Sequence, residues 1–243
     1  MTTDRSGSGW GPYWIPYFGF LVLGEVQARL PDDVAPYLRI VRVALTAALL
    51  LYFWRRGDYP ELRSWRPTPV GVVQDVLLGL ATTVLWVGPF LWWQGLSRPG
   101  PGEGFDPQAL GPALAPWFLF VRFFGFALVT PFMEELFIRS FLIRYLDVFD
   151  TGEDFRDVPM ARFRWRSFLG TWAAFTFTHA PWEWPVAAAT GLVWNLWLYK
   201  RGHLGSLVLV HAVTNGSLFF LVWLGSGRLP DGHGGLLDLW YFL

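Results

Sequence analysis

Residues Pro131–Leu146 read PFMEELFIRSFLIRYL. The stretch closes an apolar run over 114–146 that is long enough to cross a bilayer, yet it carries Glu134, Glu135 and Arg139. Carboxylates and a guanidinium in hydrocarbon are costly, so these groups should face protein or a wet cavity. On a regular helix Glu135 and Arg139 stand four apart and meet on one face. Glu134 points about 100° away from that pair. The spacing predicts a division of labour in which Glu135 with Arg139 fixes the helix and Glu134 stays free for chemistry. A purely structural ion pair accounts for the pair equally well when it is taken alone.

Working outward, apolar segments of spanning or near-spanning length fall at 11–27, 35–54, 69–94, 114–146, 167–182, 185–200 and 203–225. The fold class read from them is all-α, a polytopic transmembrane bundle of about seven helices, seven to eight, forming one membrane domain over 1–243. The fourth segment is long enough to tilt, break or project beyond the bilayer. The closing DLWYFL reads as an interfacial end or part of another short span. Composition agrees with a membrane setting: hydrophobic residues make up 53% and charged residues 16% of the 243-residue chain. The 16 tryptophans suit bilayer interfaces. A formal net charge of zero and the lack of a basic patch set nucleic acid aside as a partner. The absence of cysteine removes disulfides, thiolate ligands and a cysteine nucleophile together. The N-terminal apolar run, preceded by Arg5, reads as a retained first helix, since no small-residue cleavage site follows it.

Two further polar pairs lie downstream. FTFTH places Phe175 and His179 four apart, and HAVTN places His211 and Asn215 four apart. Measured from the basic residues flanking each segment, Glu135 lies roughly 14 Å in, His211 roughly 15 Å and His179 roughly 20 Å. Half the hydrocarbon core is about 15 Å. Three helices therefore bring polar groups to a similar depth, which an active site requires and a set of unrelated ion pairs does not. A carboxylate can take a proton from water, and an imidazole can share that work or protonate a leaving amine. A histidine and an asparagine side by side can donate to a developing oxyanion. The set describes amide hydrolysis with water as nucleophile.

These motifs carry a family resemblance. EELFIR (134–139), FTFTH (175–179) and HAVTN (211–215) resemble, in order and spacing, the E-E-x-x-x-R, F-x-x-x-H and H-x-x-x-N motifs of the CAAX-processing and bacteriocin-processing (CPBP, or ABI) membrane proteases. The resemblance covers about 115–220, the catalytic core; the helices over 11–94 match only as membrane helices. The stretch DFRDVPMARFRWRSFLG is also similar to a bacterial subgroup encoded beside exosortase and exopolysaccharide systems. The resemblance implies an integral protein of the bacterial inner membrane, an intramembrane endopeptidase whose site opens toward the cytoplasm. It implies that Glu134 activates water with His179, that His211 and Asn215 form the oxyanion site, and that Glu135, Arg139 and Phe175 support them. The implied partners are membrane lipid and a membrane-associated or secreted polypeptide, prenylated or exosortase-linked. No cofactor is favoured; the alternative is a zinc ion on Glu134, His179 and His211. The sequence has no H-E-x-x-H, and Asn215 has no place in such a ligand set.

Other classes fit less well. A serine protease would need Ser206 or Ser140 to meet a base, and Ser206 does not share a helix face with His211. An aspartyl protease would need two intramembrane aspartates, and only Asp75 is available, more suited to a structural contact. A proton-relaying transporter would show an inverted repeat or paired broken helices. A non-catalytic scaffold or export-complex component remains the alternative. Arg39 and Arg42 read as snorkelling or acid-paired. Trp182 and Trp184 read as interfacial aromatics, with Glu183 between them kept from the site by Pro181 and Pro185. Asn195 reads as a helix-packing contact, and His203 and His233 as solvated.

Loop charge sets an orientation. Arg55, Arg56, Arg63 and Arg66 follow the second segment, Arg156, Arg162, Arg164 and Arg166 the fourth, and Lys200 and Arg201 the sixth, whereas the alternate loops SRPGPGEGF and PWEWP hold one basic residue between them. The positive-inside rule puts the basic loops in the cytoplasm, with the N-terminus inside and the C-terminus outside. Single cysteines placed at 162 and 201 should react with an impermeant thiol reagent from the cytoplasmic side, and one at 183 from the other. Labelling of 183 from the cytoplasm alone would reverse this orientation.

Overall fold

The computed structural model describes residues 9–31, 34–93, 96–100, 104, 110–230 and 235–243. Parts of the SRPGPGEGF loop, Arg5 and His233 lie outside the described residues. The described residues form eight helices: α1 (Gly11–Gln27), α2 (Ala35–Arg56), α3 (Pro60–Arg63), α4 (Pro69–Trp92), α5 (Ala115–Val148), α6 (Trp165–Phe177), α7 (Trp184–Arg201) and α8 (Leu204–Gly225). Their ends follow from local chemistry. Thr68 caps α4 by accepting the Gly71 N–H at 3.1 Å, with Pro69 in the first turn. Gly57 and Gly202, with φ of 89° and 75°, close α2 and α7 in the left-handed region.

Four helices, α2, α4, α5 and α8, are long and apolar enough to cross a membrane. α1, α6 and α7 do not reach that standard, so the seven apolar segments are not seven equal spans. Large apolar side chains face outward along the long helices, among them Val41, Leu77, Val84 and Phe120. Trp92, Trp93 and Trp117 stand exposed at one end of the bundle, and Trp54 and Trp165 at the other. Apolar walls between two aromatic belts mark an integral membrane protein.

α8 is the central post. It packs along α4 and against α5 and α7. Gly79 permits the α4 crossing, because a Cβ there would stand 2.7 Å from Val213 and 2.8 Å from the Val210 carbonyl. Hydroxyls hold the same seam: Thr83 Oγ1 bonds the Thr214 carbonyl at 3.1 Å, and Thr214 Oγ1 bonds the Gly79 carbonyl at 3.1 Å. Helices in lipid gain no hydrophobic drive toward one another, so close backbone approach and such hydrogen bonds must supply it.

α5 is 34 residues long, and at ~1.5 Å per residue it exceeds the bilayer core. It stays continuous but winds as π-helix at Gly125–Val129 and again at Glu135–Leu142. Its end on the side of the basic loops is tied down by buried ion networks. Glu61 Oε1 accepts from Tyr13 Oη at 2.9 Å and Arg144 Nη2 at 3.4 Å, and also from Ser140. Asp147 accepts from Arg162 Nε at 2.8 Å and from Ser167. Asp75 is a structural contact, bonded by Trp197 Nε1 at 2.9 Å and by Arg201 and Ser206. Ser140 and Ser206 are thus spent on ion networks. The basic loop after α2 turns Glu61 inward, and His203, read as solvated, is half-buried.

Removing one member of a buried pair strands the other charge. Glu61→Ala should lower stability by about 3–5 kcal/mol through the orphaned Arg144. Thermal unfolding in detergent checks this, and an unchanged midpoint would contradict the assignment.

Candidate active site

A π-helical turn carries extra residues and re-aims side chains, and such turns cluster at functional sites. Glu134 ends an α-helical stretch and Glu135 begins the π stretch, so the regular 100° step does not describe the pair. The two carboxylates still part company: the Glu135 side chain is 0% exposed and that of Glu134 is 21% exposed.

Glu135 is the hub of a buried network. Its Oε1 accepts from Arg139 Nη1 at 3.2 Å and from His211 Nδ1 at 2.8 Å. Arg139 continues the network, donating from Nε to Asn195 Oδ1 at 3.3 Å and resting its guanidinium 4.2 Å from the centre of the Phe175 ring. Asn195 Nδ2 in turn donates to the Phe168 carbonyl and Thr171 Oγ1 at 3.2 and 3.1 Å. One polar chain thereby joins α5, α6, α7 and α8. The sequence paired His211 with Asn215; the structure gives His211 to Glu135. An ionised carboxylate only accepts, so His211 carries a proton on Nδ1 and turns Nε2 toward Glu134, 3.9 Å from Oε2. Trp194 packs against the imidazole at 4.4 Å.

His179 lies just past the end of α6, not within the helix as its spacing suggested. It remains fixed: Nδ1 donates to the Phe175 carbonyl at 2.7 Å, and the ring sits 4.6 Å from Phe175 and 5.2 Å from Trp86. That bond settles the tautomer and leaves Nε2 for other work. Asn215 Nδ2 donates to the Phe126 carbonyl at 2.8 Å, in the upper π stretch of α5, which leaves its second N–H. Glu134, His179, His211 and Asn215 all line one cavity of about 370 Å³ with Phe175 on its wall. Glu135 and Arg139 stand behind it. Among the described residues no three His, Asp or Glu side chains group closely enough to hold a metal ion. Nδ1 of His179 and of His211 is committed, to the Phe175 carbonyl and to Glu135, and Nε2 of each ring is left over.

Several lining residues escaped the sequence reading. Arg39 and Arg42 line the cavity. Arg122, a charge inside an apolar run, gave a signal of the same kind as Glu134 and was passed over. The prolines around Glu183 do interrupt the helix, but the resulting turn aims its carboxylate into the cavity. Trp182 seals the rim, packed on Phe90, Tyr241 and Phe242 at 5.1–5.8 Å. The tail is neither a span nor a loose interfacial end: Trp240–Phe242 forms a buried 3₁₀ turn, and Tyr241, Phe242 and Leu243 line the cavity. The cavity runs from mid-bundle toward the helix ends opposite the basic loops, where Arg39, Trp86, Arg122 and Glu183 lie. Basic loops in the cytoplasm and a site opening toward the cytoplasm therefore exclude one another.

Residues 116–217 match the protein-family model described as type II CAAX prenyl endopeptidase Rce1-like. All three motifs fall inside the matched segment. Nothing among the curated proteins or the solved structures matches the chain at a significant level.

Glu183 lies in the turn between α6 and α7. Burial pushes its carboxyl from 4.5 up to about 7, against the downward pull of the Ala180 N–H and Trp86, with Glu134 pushing further upward. The folded chain thus holds a proton that the unfolded chain releases above about pH 4.5. Folding stability contributed by this group therefore falls as pH rises from about 4.5 and levels off past about 7. Glu183→Gln should flatten the fall in melting temperature between pH 5 and 8; an unaltered slope would contradict the placement.

Proposed function

We propose that this chain, whose match to the Rce1-like family model over residues 116–217 supports the CPBP/CAAX protease family, is an intramembrane endopeptidase that cleaves a membrane-associated or secreted polypeptide with water activated at Glu134. One observation carries the reading. Of two adjacent carboxylates, one is locked between Arg139 and His211, and its neighbour opens into a cavity with two imidazoles and an amide.

The chemistry follows from what each group has left to offer. Glu134 takes a proton from water, with His179 Nε2 as the second acceptor, and the resulting hydroxide adds to the peptide carbonyl carbon. The carbonyl oxygen becomes an oxyanion, which the second Nδ2–H of Asn215 can meet. His211 joins that donation when Nε2 also carries a proton, Glu135 stabilising the resulting imidazolium. Collapse breaks the C–N bond, and the proton held by Glu134 or His179 passes to the leaving amine. The product pair is a carboxylic acid and an amine, and the residues return to their starting state. Ten basic residues follow the second, fourth and sixth segments. By the positive-inside rule those loops lie in the cytoplasm, which would open the cavity to the opposite side, where a secreted or membrane-anchored chain is exposed.

The test is purified full chain in liposomes with membrane-anchored candidate peptides, read by mass spectrometry. Glu134→Gln should fold and lose cleavage, whereas Glu135→Gln should lose stability through Arg139. Asn215→Ala should reduce turnover by about 10²–10³-fold with KM little changed. It should also cost about 1–3 kcal/mol of stability, because the buried Phe126 carbonyl loses its donor. Cleavage surviving in Glu134→Gln would overturn the mechanism.

A further inference from the structure

The guanidinium groups of Arg39, Arg42 and Arg122 in the cavity wall are not accounted for by the chemistry above, and two of them carry a buried N–H without an acceptor among the described residues. Arg122, on α5, is 5% exposed; its Nη2 donates to the main-chain oxygen of Leu243, while the buried Nη1 has no acceptor among the described residues. Arg42, on α2, lies 3.5 Å over the Phe20 ring, and its buried Nε likewise has no acceptor. Glu134 shares the cavity with both, and neither Arg42 Nε nor Arg122 Nη1 has a hydrogen-bond acceptor among the described residues. A guanidinium with one N–H used and its neighbour empty is half of the two-pronged pair that Arg makes with a carboxylate. An ionisable group held at membrane depth marks a functional position.

The group now seated there belongs to the chain itself. Leu239 N–H bonds Ser226 Oγ at 3.0 Å, which fastens the tail to the end of α8, and Trp240 N–H bonds Asp238 Oδ1 at 3.1 Å within the tail. Phe242 then wedges between Phe90 and Trp182, at 5.7 and 5.8 Å, and Leu243 reaches Arg122. The tail is a peptide backbone presenting oxygen to arginine in the cavity that holds Glu134.

We propose that the Arg42–Arg122 end of the cavity is a binding subsite for a carboxylate-bearing peptide segment, and that residues Trp240–Leu243 occupy it in the resting chain. The assignment rests on reading the cavity as peptide-binding, but its test needs no turnover. A ligand peptide must displace the tail, so its apparent affinity falls by the fraction of time the subsite stands open.

The native chain has no cysteine, so Thr130→Cys provides a single reporter in the cavity wall. The probe is an anionic methanethiosulfonate, applied to the full chain in detergent. Removing Trp240–Leu243 should speed labelling about tenfold. Adding N-acetyl Trp-Tyr-Phe-Leu as the free acid should slow it again, and the C-terminal amide should need about tenfold more peptide. Arg122→Gln should abolish the difference between acid and amide. Arg42→Gln should reduce it, and provides the same reading if Arg122→Gln fails to fold. Equal labelling with and without the tail, or equal protection by acid and amide, would overturn the proposal. Protection by short-chain phosphatidylglycerol without protection by the peptide would also overturn it, assigning the arginines to lipid phosphate. Proteolysis absent with labelling as expected would instead reject the hydrolytic reading and keep the subsite.

Discussion

The carboxylate of Glu135 receives a guanidinium and an imidazole in a place where neither it nor Arg139 touches solvent. Each partner alone would be prohibitively placed. An unpaired charge at membrane depth costs several kcal/mol, and losing one member of such a group strands the others. The rest of the site is arranged around this point. Arg139 rests on the Phe175 face and donates to Asn195, and the His211 ring packs on Trp194. Four helices become positioned relative to one another because their polar groups have no alternative partners in lipid.

That constraint explains the local geometry of α5. A regular helix would keep one spacing through the motif, but the Glu135–Leu142 stretch widens into π-helix. Glu135 then turns fully inward while Glu134 keeps contact with the cavity. The upper π stretch at Gly125–Val129 offers a carbonyl to Asn215 and lets Val43 of α2 approach Gly125. The hydroxyl-lined seam of α4 and α8 fixes the depth of His211 and Asn215 independently. Two separate packing devices therefore deliver the side chains of α5 and α8 to the same level.

Much of this was legible in the chain. Bilayer-length apolar runs give helices directly, and a charge inside such a run announces a buried partner. Glu134, His179, His211 and Asn215 could thus be singled out, and the structure lines one cavity with them. Pairing was less legible: four-residue spacing joined His211 to Asn215, but the shorter contact is across helices to Glu135, which sequence separation hides. The π-helical turns had no signature in composition. Glu183 was discounted because prolines break helices, and the break is what turns it inward. The tail looked like an interfacial end because four apolar residues carry no period. Loop charge and family resemblance disagreed about which side the site faces, and only the cavity's position relative to the helix ends brought that conflict into view.

The account turns on Glu135 holding His211 through Nδ1 while Glu134 stays available. Nitrogen-15 NMR of histidine-labelled chain in detergent reads this directly, since protonation and hydrogen bonding at each ring nitrogen have separate signatures. The account predicts a protonated Nδ1 on His211, bonded to a carboxylate, that persists in Glu134→Gln and is altered in Glu135→Gln. A His211 whose Nδ1 is unprotonated in the native chain, or whose signature changes with Glu134 and ignores Glu135, would contradict it.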